Sequence, residues 1–460
     1  MVKLPKQQEY NTPFRVLNLF LLIIILIFII ILYLRVSMET FLKTPVKTIS
    51  PTKLKEFIRK APKTDLHFHI ESGTNPDLAF KIAKRNKIYG TKAWPWKTTQ
   101  DLEKALQFKD LESFLEIYYA VSNALTHPQD FYDQAENVVH TLIASNVRHA
   151  ELFFDPQTFT SRNISFKDVA DGFNRGLDVG RKQGLSINLI VSILRDSPIG
   201  TPEDYAPLDQ GFSSKEKATA WASIKQAVEY NKMAPLHWKL VGVGLDSNEK
   251  PYPPHLFKDI YEFAGQHGFL RTAHAGEEGP ASFIWECIRD LHCVRIDHGV
   301  HCVEDSNLCA YLATPLLNAN ILNAYHTPHQ IPITCCPLSN TRLKVFKNPS
   351  DINLGIMLNL GLQVTVNSDD PMYTGWVNDS YDLLIDHCME NSNNIPITFA
   401  NLRQLIINGF EGSWLPLDKK LHFIREVNQY FIGSSNLLYN DLVNNNKIFL
   451  PGFAAIPRLA

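Results

Sequence analysis

Cysteine is sparse in this chain and wrongly spaced for cross-linking. Seven occur in 460 residues (Cys287, Cys293, Cys302, Cys309, Cys335, Cys336 and Cys388), all late, and no pair has C-x-x-C spacing. A disulfide framework would be spread through the chain, so these read as reduced, mostly buried thiols, which favours a reducing compartment. An excess of charge is also missing: 45 Lys and Arg face 47 Asp and Glu, with no basic stripe. Affinity through phosphate neutralisation needs such a stripe, which turns the reading from nucleic acid towards a small-molecule ligand. Beyond residue 62 there are no low-complexity linkers or short tandem repeats, and 45% hydrophobic residues suffice for one large core or two ordinary ones.

Long apolar runs are missing too, with one exception. Val16 to Leu34 reads VLNLFLLIIILIFIIILYL, 19 residues in which Asn18 is the only strongly polar one. That length crosses a bilayer's hydrocarbon core, whereas a cleaved leader has a shorter apolar stretch and a small-residue cleavage site, which the residues from Arg35 to Met38 do not supply. The expectation is a tail at 1–15, a transmembrane anchor at 16–35, a linker and first helix at 36–62, and a single catalytic unit at 63–460. Lys3, Lys6 and Arg15 before the span balance Arg35, Lys43, Lys47 and Lys53 after it, so the positive-inside rule gives no orientation, with the cytoplasmic side slightly favoured. Translation from Met38 would yield a soluble, cytoplasmic protein.

From residue 63 onward, nearly continuous apolar runs alternate with amphipathic stretches such as Pro128–Ser145 and Phe257–His267. The spacing predicts strands over Thr64–Ile70, Val147–Asp155, Ser186–Asp196, Leu240–Ser247, Leu270–Gly276, Val294–His301, Ile331–Ser339 and Gln363–Asp370. Eight such units predict an α/β fold, a (β/α)8 TIM barrel with insertions. A doubly wound open sheet shares the alternation, but it would gather its polar residues at one switch point rather than at nearly every strand end.

Those strand ends carry the chemistry. His67 and His69 alternate in the first strand and so face one way, suiting a shared metal better than two isolated core histidines. His274, followed by Glu277 just past the fifth strand, adds another nitrogen and a carboxyl group; alone, this motif could be a solvated turn. Asp297-His298-Gly299 ends the sixth strand. Asp369 and Asp370 end the eighth, where adjacent buried carboxylates need a cation or a donor to offset their repulsion. Three imidazoles and one carboxylate without thiolate suit one divalent metal, Zn²⁺ first, with Fe²⁺ or Mn²⁺ also compatible.

These residues, in this order, resemble the adenosine/adenine deaminase family of the amidohydrolase superfamily over about residues 52 to 430, and most closely its adenine deaminase branch. The supporting segments are RHAELFFDPQTF (Arg148–Phe159), GVGLDSNEKPYPP (Gly242–Pro254), RTAHAGEEG (Arg271–Gly279), RIDHGV (Arg295–Val300), CPLSN (Cys336–Asn340) and VTVNSDDPMYTG (Val364–Gly375). The resemblance implies a purine base as substrate, His67, His69, His274 and Asp369 as metal ligands, and Glu277 as proton donor to ring nitrogen 1. It also implies that His298 orients or deprotonates the attacking water and that Asp370 binds the purine near ring nitrogen 7. Ser247, in the GLDSNE turn, is a weaker candidate for touching the base. The expected reaction turns adenine into hypoxanthine and ammonia.

The chain departs from the family pattern in two loops: Ser72, Gly73 and Thr74 follow Glu71 in HIESGT, and PMYTGW replaces PAYFGG. Residues 315–328 form an apparent surface insertion. Adenosine or an N6-substituted adenine stays open as the substrate, as does, remotely, a membrane-tethered binding module without catalysis. Urease-like and dihydroorotase-like relatives carry a bridging lysine in the fourth strand, and LVGVGLDS has none. Polynucleotide deaminases need Pro-Cys-x-x-Cys, which is absent.

Overall fold

A computed structural model of the chain describes residues 20–29, 42–43, 48–109, 111–204, 213–314, 330–387 and 397–444. Eight parallel strands run in chain order: β1 (Lys63–His69), β2 (Val147–Phe154), β3 (Ser186–Leu194), β4 (Leu240–Asp246), β5 (Leu270–Ala275), β6 (Arg295–His298), β7 (Ile333–Cys335) and β8 (Val364–Val366). The sheet curls until β1 meets the chain leaving β8. Phe68 pairs with Asp369 in parallel, with His69 N–H donating to Asp369 O at 2.9 Å and Asp369 N–H to His67 O at 2.8 Å. The predicted barrel is therefore present, nearly closed, and its seam is made by residues expected to bind metal.

Helices cover the outside because strands buried on both faces need apolar partners there. One closely packed pair is α3 (Pro128–Ala144) on α4 (Phe166–Arg181), numbered after α1 (Pro51–Lys60) and α2 (Leu111–Ser122). Pro128 starts α3, where its missing N–H is no loss, and Asp130 caps it by accepting from Thr126 and His127 N–H at 2.8 Å each. Gly176 lets α4 approach, since a Cβ there would lie 2.5 Å from Tyr132 O. Of two further helices, α5 (Phe399–Gly412) packs on β8 and β1, and α6 (Leu417–Asn444) packs on α5 and α1.

The first five strands end within two residues of the sequence expectation; the last three are shorter. β6 stops at His298, which adopts the left-handed region (φ 61°), and β7 stops at Cys335 because a helix opens at Pro337; Ser247 (φ 70°) and Asp369 (φ 68°), past the ends of β4 and β8, are left-handed too. Non-glycine residues held there store strain that the surrounding structure must support, and such residues cluster at functional sites.

The transmembrane span expected at residues 16–35 has no counterpart among the described residues, where no helix is long and apolar enough to cross a membrane. Of that stretch only 20–29 are described, as an exposed helix. The expected insertion at 315–328 and Cys388 lie outside the described residues.

Candidate active site

The predicted metal ligands meet. One donor atom each from His67, His69, His274 and Asp369, all buried, fall within 4.8 Å of one another. His274 Nε2 stands 3.0 Å from His67 Nε2 and 3.2 Å from His69 Nε2, and Asp369 Oδ1 is 3.2 and 3.4 Å from those same two nitrogens. Donors about 2.0–2.1 Å from a tetrahedral ion stand about 3.3 Å apart, so the four match a divalent cation. Their outer atoms agree. His67 Nδ1 lies 3.1 Å from Thr334 Oγ1, which donates to Asp297 Oδ1 at 2.8 Å. That arrangement puts the His67 proton on Nδ1 and leaves Nε2 bare for a metal. His69 Nδ1 faces Asp246 Oδ2 at 3.5 Å.

The electrostatics follow from crowding. Burial and the imidazoles of His67 and His298 push His274 well below its ordinary value, so it stays neutral. Burial alone would raise the Asp369 carboxyl, but the imidazoles of His298, His67 and His69 outweigh it and hold that group far below the usual range. A neutral His274 beside an ionised Asp369 matches the protonation states that metal ligands require.

Glu277 sits beside this cluster, clamped from behind by Glu249. Glu249 Oε1 accepts from Gly276 N–H at 2.6 Å, and its Oε2 accepts from the N–H groups of Glu277, Glu278 and Gly279 at 3.1, 2.9 and 2.9 Å. Gly276 at φ 71° makes the turn possible, since a Cβ there would lie 2.6 Å from Ile284 Cδ1. Burial, and then the negative charges of Asp369 and Glu249, raise the Glu277 carboxyl well above its ordinary range. The Asn340 amide nitrogen donates to Glu277 Oε1 at 3.2 Å and stands 3.1 Å from His298 Nδ1, while His298 Nε2 is 3.4 Å from Glu277 Oε2. Burial pushes His298 down to about 3 against the opposing pull of Asp369.

Ser247, Glu277, His298 and Asp370 all line one pocket with His69, His274 and Asp369. Every predicted site residue except His67, which lies just beneath, therefore borders the same cavity. Burial and the neighbouring Asp369 raise the Asp370 carboxyl to about 8. The departing Glu71–Thr74 segment is buried beside the site: Glu71 Oε1 accepts from Asp155 N–H at 2.8 Å, and Ser72 Oγ donates to His69 O at 2.7 Å.

Sequence reasoning missed several contributors. Asn340 and Glu249 stand in the CPLSN and GLDSNE segments, which were quoted without a role for either. Thr334 gave no signal, being one hydroxyl in an apolar run. The helix α2 over the mouth, which brings Phe114, Tyr118 and Tyr119 to the pocket, was also unforeseen.

A (β/α)8 barrel with a His3Asp cluster and a protonatable glutamate at its strand ends defines a class, the metal-assisted hydrolases. The adenosine deaminase family profile matches residues 62–430, and the chain belongs to that family. It is 38% identical to the adenine deaminase of Chlorobium phaeobacteroides, with 82% of this chain and 98% of that protein aligned. It is 37% identical to the adenine deaminase of Wolinella succinogenes, over 81% of this chain and 99% of that one. The crystal structure of adenine deaminase from Arthrobacter aurescens superposes with a TM-score of 0.65 at 33% identity, covering 80% of this chain and 99% of that one.

Proposed function

We propose that this protein hydrolyses adenine to hypoxanthine and ammonia. The observation that carries the reading is that Glu277, its carboxyl raised by burial, lines one pocket with His69, His274 and Asp369 of the four-residue cluster that His67 completes from beneath. Near-full-length similarity to several adenine deaminases supports the substrate. A divalent ion bound by those four residues would polarise a water towards deprotonation near neutral pH. Zn²⁺ is the ion we assign, because the donor set is nitrogen and oxygen in a compact four-point arrangement.

The chain's own residues do the rest. Protonated Glu277 gives its proton to ring nitrogen 1, which draws electrons from carbon 6 and opens it to attack. His298 orients or deprotonates the attacking water, and Asn340 holds His298 and Glu277 in mutual register. Asp370 holds the five-membered ring at nitrogen 7, with Ser247 against the base. Water adds at carbon 6; one of its protons returns to Glu277 and the other passes to the amino group, whose bond to carbon 6 breaks as it leaves as ammonia. Helix α2 shields the mouth from bulk water.

Ammonia release from adenine, adenosine and N6-methyladenine tests the reading, with metal content measured on the same sample. Adenine should be the preferred substrate and zinc the dominant metal. Preference for adenosine, or iron or manganese in stoichiometric amount, would replace the respective assignment. We further assign residues 63–460 to one catalytic unit and residues 16–35 to a membrane anchor, on the apolar run from Val16 to Leu34. Carbonate extraction should leave the full chain with membranes and release a chain begun at Met38; release of both removes the anchor.

A further inference from the structure

The pocket wall holds two carboxylates that the mechanism does not use. Asp155 follows β2, Asp246 ends β4, and both line the cavity while being at most 3% exposed. One oxygen of each is satisfied: Tyr118 O–H donates to Asp155 Oδ2 at 2.9 Å, and Ser192 O–H to Asp246 Oδ2 at 2.7 Å. Asp155 Oδ1 and Asp246 Oδ1 are buried and accept no hydrogen bond. The two side chains also sit close together, with one oxygen of each and a His69 nitrogen all within 4.8 Å. Paired carboxylates in a dry pocket are unfavourable unless a donor comes between them.

We propose that Asp155 and Asp246 recognise the five-membered-ring N–H of a free purine base, and so restrict the site to bases not substituted at nitrogen 9. This rests on the purine reading above and deepens it. Nitrogens 7 and 9 share the five-membered ring, so a ring held at nitrogen 7 by Asp370 turns nitrogen 9 to the adjoining part of the wall. A carboxyl oxygen that nothing in the protein bonds can accept a hydrogen bond, and a free base offers an N–H there. A nucleoside or a 9-alkyl purine offers carbon, leaving buried acceptors unpaired. Sites built to bond a substrate donor reject analogues lacking it by about 10⁴-fold.

Calorimetry on the wild-type protein with hypoxanthine and 9-methylhypoxanthine is the primary test, because it needs no turnover. Hypoxanthine should bind at least about 10³-fold more tightly, and adenine should exceed 9-methyladenine by about 10⁴-fold in kcat/KM. Asp246→Ala and Asp155→Ala should each narrow that ratio by tenfold or more and gain measurable turnover of 9-methyladenine, which an unfolded variant cannot do. Metal content is measured for each, because Asp246 also faces His69; Asp246→Asn should restore metal binding if Asp246→Ala loses it. Equal affinity for the two hypoxanthines overturns the N–H requirement while leaving the purine reading intact. A preference undiminished in both Ala variants overturns the assignment to these residues. Binding of neither ligand defeats the purine reading and this inference with it.

Discussion

Buried charge occurs at both ends of this barrel, and it is handled in opposite ways. In the lower half, Glu151, His149 and Arg295 are fully buried and bound to one another: His149 Nε2 lies 2.9 Å from Glu151 Oε1, Arg295 Nη1 donates to Glu151 Oε2, and the guanidinium stacks 4.2 Å from the Trp414 ring. Burial opposes ionisation of Glu151, but Arg295 and His149 overcome it and bring the carboxyl down to about 2. At the upper rim the carboxyl groups of Glu277 and Asp370 are pushed up, and Asp370 Oδ1 and Asp246 Oδ1 accept nothing from the protein. The Glu151 carboxylate, with both oxygens bonded, maintains the fold. Carboxyl oxygens left open at the pocket are where a ligand would complete the set.

That contrast can be broken by substitution at either end. Glu277→Gln should lower kcat on adenine by about 10²–10⁴-fold, with the melting temperature little changed. A large drop in melting temperature would place Glu277 with the structural charges instead. Glu151→Ala should do the reverse. It should destabilise by about 3–5 kcal/mol in urea unfolding, with near-normal kcat for the folded, metal-loaded fraction. Thr334→Val connects the two halves, since its hydroxyl joins Asp297 to His67. It should weaken metal affinity by about 10–100-fold in chelator competition, with little effect on stability.

The smallest effects are in pH, and they have opposite signs. Glu277 is raised in the folded protein and acts in its protonated form, so activity should fall as pH rises through that raised value. Glu151 is depressed, so its contribution to stability is fully present above its ordinary value of 4.5 and is lost as pH falls towards about 2. Activity that survives to high pH, or acid unfolding unchanged in Glu151→Gln, would remove the distinction.

Much of the site was legible because its chemistry is local. His67 and His69 share a face by strand alternation, and His274, Glu277, His298, Asp369 and Asp370 each close an apolar run. What stayed illegible was pairing across the barrel. Nothing near Glu249 in the chain announces that it will accept four backbone N–H groups from the turn between β5 and the following helix. Asn340 looks like any residue in a helical turn until His298 and Glu277 close on it. Helix α2 has no polar strand end to mark it, and its aromatic residues read as ordinary core.

The order of ligands, the eight-unit alternation and the absence of thiolate donors were set by residue type and short spacing, because strand direction and donor chemistry need no distant partner. Tertiary structure alone decided which buried polar groups are satisfied. It joins Leu66 N–H to Asn367 Oδ1 across 301 residues and brings Asp155 beside Asp246. Burial removes water as the default partner, so the protonation and purpose of each carboxylate depend on neighbours that only barrel closure supplies.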